Sequence, residues 1–217
     1  MTILGVLVKP DRAICWTDSE VYESGEPASQ HCPKMLVNPL ARVILLGTGF
    51  SALLRPAEEA ALRGASLDGI AAAVSSALRK RAGQLARQLT RLDRNWLACQ
   101  MAAVVGFSEE AGRMLAYTFS GASFFEPVVT VRIMRPEPEG GPVAEPQCMP
   151  ELIALARRQI AYVRESCPTA TGGVLQVAEL RPTEIICRTI PDFDVGDVHM
   201  IGVEAGHDQP LRKSVPV

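Results

Sequence analysis

The chain has 217 residues, of which 47% are hydrophobic and 21% are charged, and its formal net charge is −2. This length suits one domain with a substantial core, and this charge excludes a strongly basic protein drawn to nucleic acid or to an anionic membrane surface. The sequence has no run of about 18 apolar residues and no basic leader followed by a long apolar stretch, so it predicts neither a transmembrane helix nor a signal peptide. We therefore expect a cytoplasmic protein without membrane contact.

The cysteines and histidines give no sign of a metal or cofactor site. The six cysteines are scattered and form no Cys-x-x-Cys pair, so in a reducing compartment we interpret them as small buried hydrophobic residues. His31, His199 and His207 are too dispersed to form a metal site. The acidic stretch 192–199 lacks the full spacing of a calcium loop and is interpreted as solvated tail. No cofactor is expected.

The first fifty residues are predicted to be mainly strands. Residues 2–8 are apolar and β-branched, and with residues 13–18 they predict a hairpin closed by the turn KPDR. The polar stretch 19–33 is interpreted as a loop. Residues 34–39 and 41–49 are predicted as further strands, the second of them buried and ending in glycines.

The pattern becomes helical from about Pro56. Between residues 67 and 92, leucine, isoleucine and valine recur at spacings of three, four or seven, which predicts an amphipathic helix with Ser66 as its N-cap. The opposite face is interpreted as solvated, and a surface for an acidic partner or a neighbouring subunit is the alternative. Nucleic acid is disfavoured because no aromatic residues interleave the charges. That face carries the basic residues Arg79, Lys80, Arg81, Arg87, Arg91 and Arg94.

The second half of the chain returns to strands and contains one more helix. The Pro/Gly/Glu-rich stretch 135–148 is predicted to be a loop, and Pro150 suits the first turn of a helix that continues to Val163. The remaining apolar segments are predicted as strands, the first two forming a hairpin. These segments are 96–107, 113–119, 124–134, 173–180 and 184–190.

Strands grouped in hairpins, with the helices in blocks, are typical of antiparallel sheets with segregated helices. The fold class predicted is α/β (α+β), arranged as a four-layer αββα sandwich of two antiparallel sheets flanked by helices. We predict a single domain over residues 1–190 and a C-terminal tail over residues 191–217.

Several short segments, in their order and spacing, resemble a proteasome β-type subunit of the N-terminal-nucleophile hydrolase family, including its bacterial relatives. The resemblance covers roughly residues 1–190 and implies the Ntn-hydrolase-like form of the sandwich. The segments are T-I-L-G-V (2–6), W-T-D-S (16–19), H-C-P-K-M (31–35), V-I-L-L-G-T-G (43–49) and T-A-T-G-G-V-L-Q-V (169–177).

The resemblance implies a threonine-type peptidase with a small set of site residues. Removal of Met1 would expose Thr2 as the nucleophile, with its own α-amine as the base. Lys34, one of only four lysines in the chain, falls on the family's catalytic lysine, and Asp18 falls on the aspartate that pairs with it. A peptide or protein is the implied substrate.

Three further parts of the family's site and assembly follow from the same resemblance. The oxyanion would be held by a backbone N–H at Gly47 or Gly49. Thr171 would replace the hydroxyl of a supporting serine. The family builds closed rings, so a homo-oligomer is expected, and the basic helix face and apolar loop segments are candidate contacts.

Two features leave an alternative open. The strand itself aligns better one residue earlier: T-I-L-G-V then matches the family's second to sixth residues, and Met1 occupies the nucleophile's position. A slip of one residue reverses every side chain of a strand, so both registers cannot be right. The family's glycine-serine loop is replaced by VRIMRPEPEGGP (131–142), and no aspartate lies close before Gly172. The alternative is a catalytically inactive member of the fold that serves as a structural or assembly subunit of a homo-oligomer.

Overall fold

The computed structural model describes residues 2–19, 22–23, 26–27, 33–49, 51–88, 97–137, 144–166, 173–191 and 193. Within these residues the chain forms a mixed α+β structure with two five-stranded antiparallel sheets and three α-helices. The predicted mixture of antiparallel sheets and helices is confirmed.

The strands are numbered in chain order. They are β1 (Leu4–Val8), β2 (Ala13–Asp18), β3 (Tyr22–Glu23), β4 (Glu26–Pro27), β5 (Met35–Asn38), β6 (Val43–Thr48), β7 (Met101–Ser108), β8 (Arg113–Ser120), β9 (Val128–Thr130), β10 (Arg132–Arg135), β11 (Leu175–Leu180) and β12 (Ile185–Ile190). Sheet I has the order β10–β1–β2–β11–β12, and sheet II has the order β5–β6–β7–β8–β9. The short strands β3 and β4 pair with each other.

The helices are α1 (Ser51–Arg63), α2 (Leu67–Ala86) and α3 (Met149–Ser166). The predicted N-cap of α2 is confirmed, because the Ser66 side chain accepts a hydrogen bond from the Gly69 N–H. Helix α2 ends at Ala86, earlier than the predicted residue 92, and residues 89–96 lie outside the described part of the chain.

Helix α1 contains a proline at an interior position. Pro56 has no N–H, so the carbonyl of Ala52, four residues earlier, lacks its usual helical donor. The Nε of Arg81 in α2 donates to that carbonyl at 3.0 Å. Arg81 is therefore half-buried between the two helices, and the prediction that it belongs to a solvated basic face is wrong for this residue.

The buried hydrophobic residues form three clusters. The first joins α1 and α2 to one face of sheet II, and Leu53, Leu78 and Val104 belong to it. The second fills the space between the two sheets, where Leu4 of β1 and Leu46 of β6 are fully buried. The third joins the outer face of sheet I to α3.

Some predicted strands differ from the observed ones. The stretch predicted as one strand over 124–134 is two strands, because the chain passes from sheet II to sheet I at Val131 between β9 and β10. The strand predicted from residue 96 begins at Met101. The polar stretch 19–33, predicted to be entirely loop, contains β3 and β4.

The predicted burial of the cysteines is largely wrong. Among the described cysteines Cys15 is buried, whereas Cys99, Cys148 and Cys187 are exposed. Within the described residues, no helix is both long enough and apolar enough to span a membrane.

Candidate active site

Thr2 lies just before β1, and its neighbours hold this end of the strand in place. Leu4 pairs with Thr17 of β2, and the N–H of Ile3 donates to Oδ1 of Asp18 at 2.9 Å. The Thr17 hydroxyl donates to the carbonyl of Ile3 at 2.9 Å. Because both polar backbone groups of Ile3 bond to adjacent residues of β2, the position of Thr2 relative to Asp18 is fixed.

Lys34 joins Thr2 to Asp18. Its Nζ donates to Thr2 Oγ1 at 2.9 Å and to Asp18 Oδ2 at 2.8 Å. The Lys34 side chain is 13% exposed and that of Asp18 is 0% exposed, so the ion pair is screened from water. Of the two possible registers, this contact corresponds to the one that places Thr2 beside Lys34. Met1 lies outside the described residues.

The electrostatics of Asp18 reflect opposing effects. Burial raises the pKa of Asp18 above its ordinary value, because a charged carboxylate is poorly solvated there. The positive charge and hydrogen bond of Lys34, and the N–H of Ile3, act in the opposite direction. The carboxylate thus depends on Lys34 for its charge balance.

Strand β11 holds the backbone next to Lys34. Gln176 stands opposite Thr17 in the β2–β11 register, and its Oε1 accepts a hydrogen bond from the Lys34 N–H at 3.0 Å. Ser19 is buried, and its Oγ accepts from the N–H of Val174 at 3.0 Å. Sequence reasoning missed both Gln176 and Ser19. Gln176 lies within the segment noted for its resemblance, but its contact with Lys34 depends on a pairing between distant strands.

The glycines proposed for the oxyanion lie at the end of β6. Met35 pairs with Leu46, so one further step along the same register places Gly47 opposite Lys34. A Cβ at Gly47 would come within 2.8 Å of Leu54 in α1, which packs over it. Gly49 has φ = +125°, a backbone conformation that favours glycine, and Gln100 fills the space beside it. Thr171 lies outside the described residues.

This arrangement combines a hydroxyl, an ammonium and a buried carboxylate in one chain of hydrogen bonds. As an ammonium, Lys34 favours the ionised form of the Thr2 hydroxyl, and Asp18 fixes the Lys34 side chain. Such a set is suited to activating an oxygen nucleophile. Among the described residues, no group of three or more His, Cys, Asp or Glu side chains could hold a metal ion.

Comparison of the chain with known proteins found no matching family model and no significantly similar curated protein.

Proposed function

We propose that this chain is an N-terminal-nucleophile hydrolase of the proteasome β-subunit type, a threonine-type peptidase that cleaves amide bonds once removal of Met1 exposes Thr2. The observation that carries the proposal is the position of Lys34 Nζ, within 2.9 Å of Thr2 Oγ1 and 2.8 Å of Asp18 Oδ2. A lysine that only stabilised the fold would need the carboxylate but not the hydroxyl of the second residue.

The first step is attack by Thr2 Oγ on the carbonyl carbon of the scissile amide. The hydroxyl proton passes to the free α-amine of Thr2, directly or through water, while Lys34 stabilises the developing negative charge on Oγ. The backbone N–H of Gly47, opposite Lys34 in the register, is our candidate donor to the oxyanion. Asp18 positions Lys34 without contacting the substrate.

The second step releases the first product. The protonated α-amine returns its proton to the leaving nitrogen, the carbon–nitrogen bond breaks, and the acyl group remains on Thr2 as an ester. Water then attacks the ester carbonyl and gives a proton to the α-amine. The bond between the acyl carbon and Thr2 Oγ breaks, the α-amine returns the proton to Oγ, and the acyl group leaves as a carboxylic acid. The mechanism needs the α-amine to be free, so Met1 must be absent.

The fold proposed with this function is the four-layer αββα sandwich. The three core clusters support it, since they lie between α1–α2 and sheet II, between the sheets, and between sheet I and α3. The position of Thr2 before an inner strand, β1, also agrees with the proposal, because the neighbouring strand β2 supplies Asp18 beside it.

The second candidate is an inactive structural or assembly subunit of a homo-oligomer. The observation that bears on its assembly role is an apolar edge: β9 is the outer strand of sheet II, and Val128 and Val129 are each 51% exposed. Phe124 and Val131 beside it are 76% and 66% exposed. An edge strand with exposed apolar side chains is suited to self-association. Assembly is compatible with either candidate.

Intact mass and covalent labelling distinguish the two candidates. For protein made in its native host, we expect a mass lower by one methionine and a threonine-directed electrophile attached to Thr2. Thr2→Ala should abolish labelling and peptide hydrolysis without unfolding the protein. Thr183→Ala, which alters an exposed turn threonine, is the matched control and should change neither.

The opposite results would favour the inactive subunit. Full retention of Met1 in the native host would exclude the threonine hydrolase, and peptide turnover that survives Thr2→Ala would remove Thr2 from the mechanism. Sedimentation of the native protein then tests the assembly role, which requires a species larger than one chain of 23.4 kDa.

A further inference from the structure

A cleft of about 400 Å³ lies between β7–β9 of sheet II and β10 of sheet I, at the edge of the space between the sheets. It is open to solvent on one side. Its buried residues, Met101 and Ile133, are apolar, and its exposed residues, Arg135 and Glu137, are charged. The residues that line it are Met101, Thr118, Ser120, Thr130, Arg132, Ile133, Met134, Arg135 and Glu137.

The inner wall of the cleft includes polar residues of β8, which follow the residues of that strand that pack in the core between the sheets. Met114 and Ala116 of β8 pack in that core. Because side chains alternate along a strand, the next two residues on the same face are Thr118 and Ser120. The Ser120 Oγ accepts a hydrogen bond from the Ala122 N–H, so its own hydrogen can be donated to a ligand.

The cleft lies at the same end of the sheets as Thr2. Met134 and Arg135, which line it, pair with Gly5 and Leu4 in the β1–β10 register. Leu4 faces the space between the sheets, and alternation along the chain places Thr2 on that same side. Arg132 itself pairs with Leu7, farther along β1 from Thr2, so a peptide bound at Thr2 would have to run along sheet I to reach its guanidinium.

Arg132 is the unusual residue of this cleft. Its Nη2 atom is buried and has no hydrogen-bond partner among the described residues. The carboxylate oxygen Oε1 of Glu137 is 3.7 Å from Nη2, beyond hydrogen-bond distance. Buried polar groups are nearly always satisfied, so this guanidinium nitrogen is a donor available to an acceptor that enters the cleft.

We propose that the cleft binds a carboxylate of the peptide substrate through Arg132, a proposal that rests on the function proposed above. A guanidinium offers two parallel N–H donors that match the two oxygens of a carboxylate. The Ser120 hydroxyl supplies a further donor, and Arg135 a second positive charge against the single negative charge of Glu137. The carboxylate belongs either to an acidic side chain or to the C-terminus of a peptide.

Binding is tested with full-length protein carrying Thr2→Ala, so that no turnover occurs. Calorimetry compares three peptides of otherwise identical sequence: one with an internal glutamate and both ends blocked, one with glutamine there, and the glutamine peptide with a free C-terminal carboxylate. We expect one carboxylate peptide to bind on the order of tenfold more tightly than the blocked glutamine peptide. Whichever of the two gains affinity identifies the source of the carboxylate.

Substitutions assign the effect to the cleft. Arg132→Gln should remove the preference for the carboxylate peptide, and Arg132→Lys should keep part of it because the charge remains without the paired donors. Arg188→Gln is the matched control, since Arg188 is an exposed arginine on β12 at the opposite edge of sheet I. It should leave the preference unchanged.

Glu137→Gln should change the affinity for the acidic peptide in the opposite direction to Arg132→Gln. It tests the carboxylate site even if Arg132→Gln does not fold. Removing the competing carboxylate should tighten binding of the acidic peptide by several-fold. Equal affinity for all three peptides, or weaker acidic-peptide binding in Glu137→Gln, would overturn the carboxylate site. Because binding is measured without Thr2, this result is independent of whether the hydrolase activity exists.

Discussion

Asp18 and Asp68 each accept hydrogen bonds through both carboxylate oxygens, but they lie in different parts of the fold. Asp18 accepts from the Ile3 N–H and from Lys34 Nζ, at the start of β1. Asp68, in the first turn of α2, accepts from the Tyr117 hydroxyl at 2.8 Å and from the Ser108 hydroxyl at 2.9 Å.

The two carboxylates differ in their hydrogen-bond partners, and this difference indicates different roles. Asp18 is fully buried with a cation, and that cation also contacts the Thr2 hydroxyl. Asp68 is half-buried, bonds to neutral hydroxyls and stands near a helix N-terminus, where the backbone itself favours a negative charge. A hydrogen-bonded aspartate is therefore a functional candidate only where its partner also touches a reactive group. The Asp68 cluster joins α2 to sheet II and provides an internal structural control.

The largest expected difference between the two aspartates is in the free energy of unfolding, when Asp18 loses its cationic partner and Asp68 loses its charge. Lys34→Met leaves Asp18 buried without a counter-charge, and the free energy of unfolding should fall by about 3 kcal/mol or more. Asp68→Asn keeps one acceptor oxygen and should cost about 1 kcal/mol. Urea unfolding of both variants measures the two losses.

The control for this prediction is a double variant. Asp18→Asn combined with Lys34→Met removes the uncompensated charge and should recover part of the lost stability. If Lys34→Met and Asp68→Asn destabilise the chain equally, the proposed difference between the two aspartates is wrong.

The next effect concerns the proton of Asp18. Carbon NMR of the carboxyl group should give a pKa above the ordinary value of 3.8, and Lys34→Met should raise this pKa further because Lys34 acts to lower it. The folded chain then holds the proton more tightly than the unfolded chain. The matching stabilisation is present below pH 3.8 and is lost as the pH rises through the pKa of folded Asp18. A pKa below 3.8 would contradict a dominant effect of burial.

The smallest effect is expected at the structural cluster. Burial and the hydrogen bond to Asp68 raise the pKa of Tyr117 from 10.0 to about 12, so any stabilisation from this group is present below pH 10 and is lost as the pH rises towards 12. Asp68→Asn should lower the Tyr117 pKa, because the negative charge beside the phenol is removed. Ultraviolet titration of tyrosinate measures it, with Tyr117→Phe assigning the signal. An unchanged titration in Asp68→Asn would show that Asp68 has no part in the shift.

Local patterns in the sequence predicted much of the fold. The apolar, β-branched residues and the turn KPDR within residues 2–18 predicted the first hairpin, and Ser66 with the apolar spacing after it predicted the start of α2. The division of 124–134 into two strands was not predictable from periodicity. A largely apolar segment rich in β-branched residues does not reveal that the chain leaves one sheet and joins another at Val131.

The site was predictable only in part, for a similar reason. The resemblance to proteasome β-type subunits, through the order and spacing of short segments, predicted Thr2, Asp18 and Lys34 as site residues. The structure brings these three side chains together. Gln176 and Arg132 carry no such spacing signal. The contact of Gln176 with Lys34 depends on strand pairing, and the significance of Arg132 depends on a nitrogen that burial leaves without an acceptor.

The proline inside α1 has a consequence for how the sequence can vary. Because Pro56 leaves the Ala52 carbonyl without its helical donor, Arg81 takes that donor's place from the neighbouring helix. Positions 56 and 81 therefore constrain each other across two helices. In a related chain, an ordinary residue at position 56 would restore the helical hydrogen bond and free position 81 to change, whereas a proline there would tie that position to a long side chain with a donor.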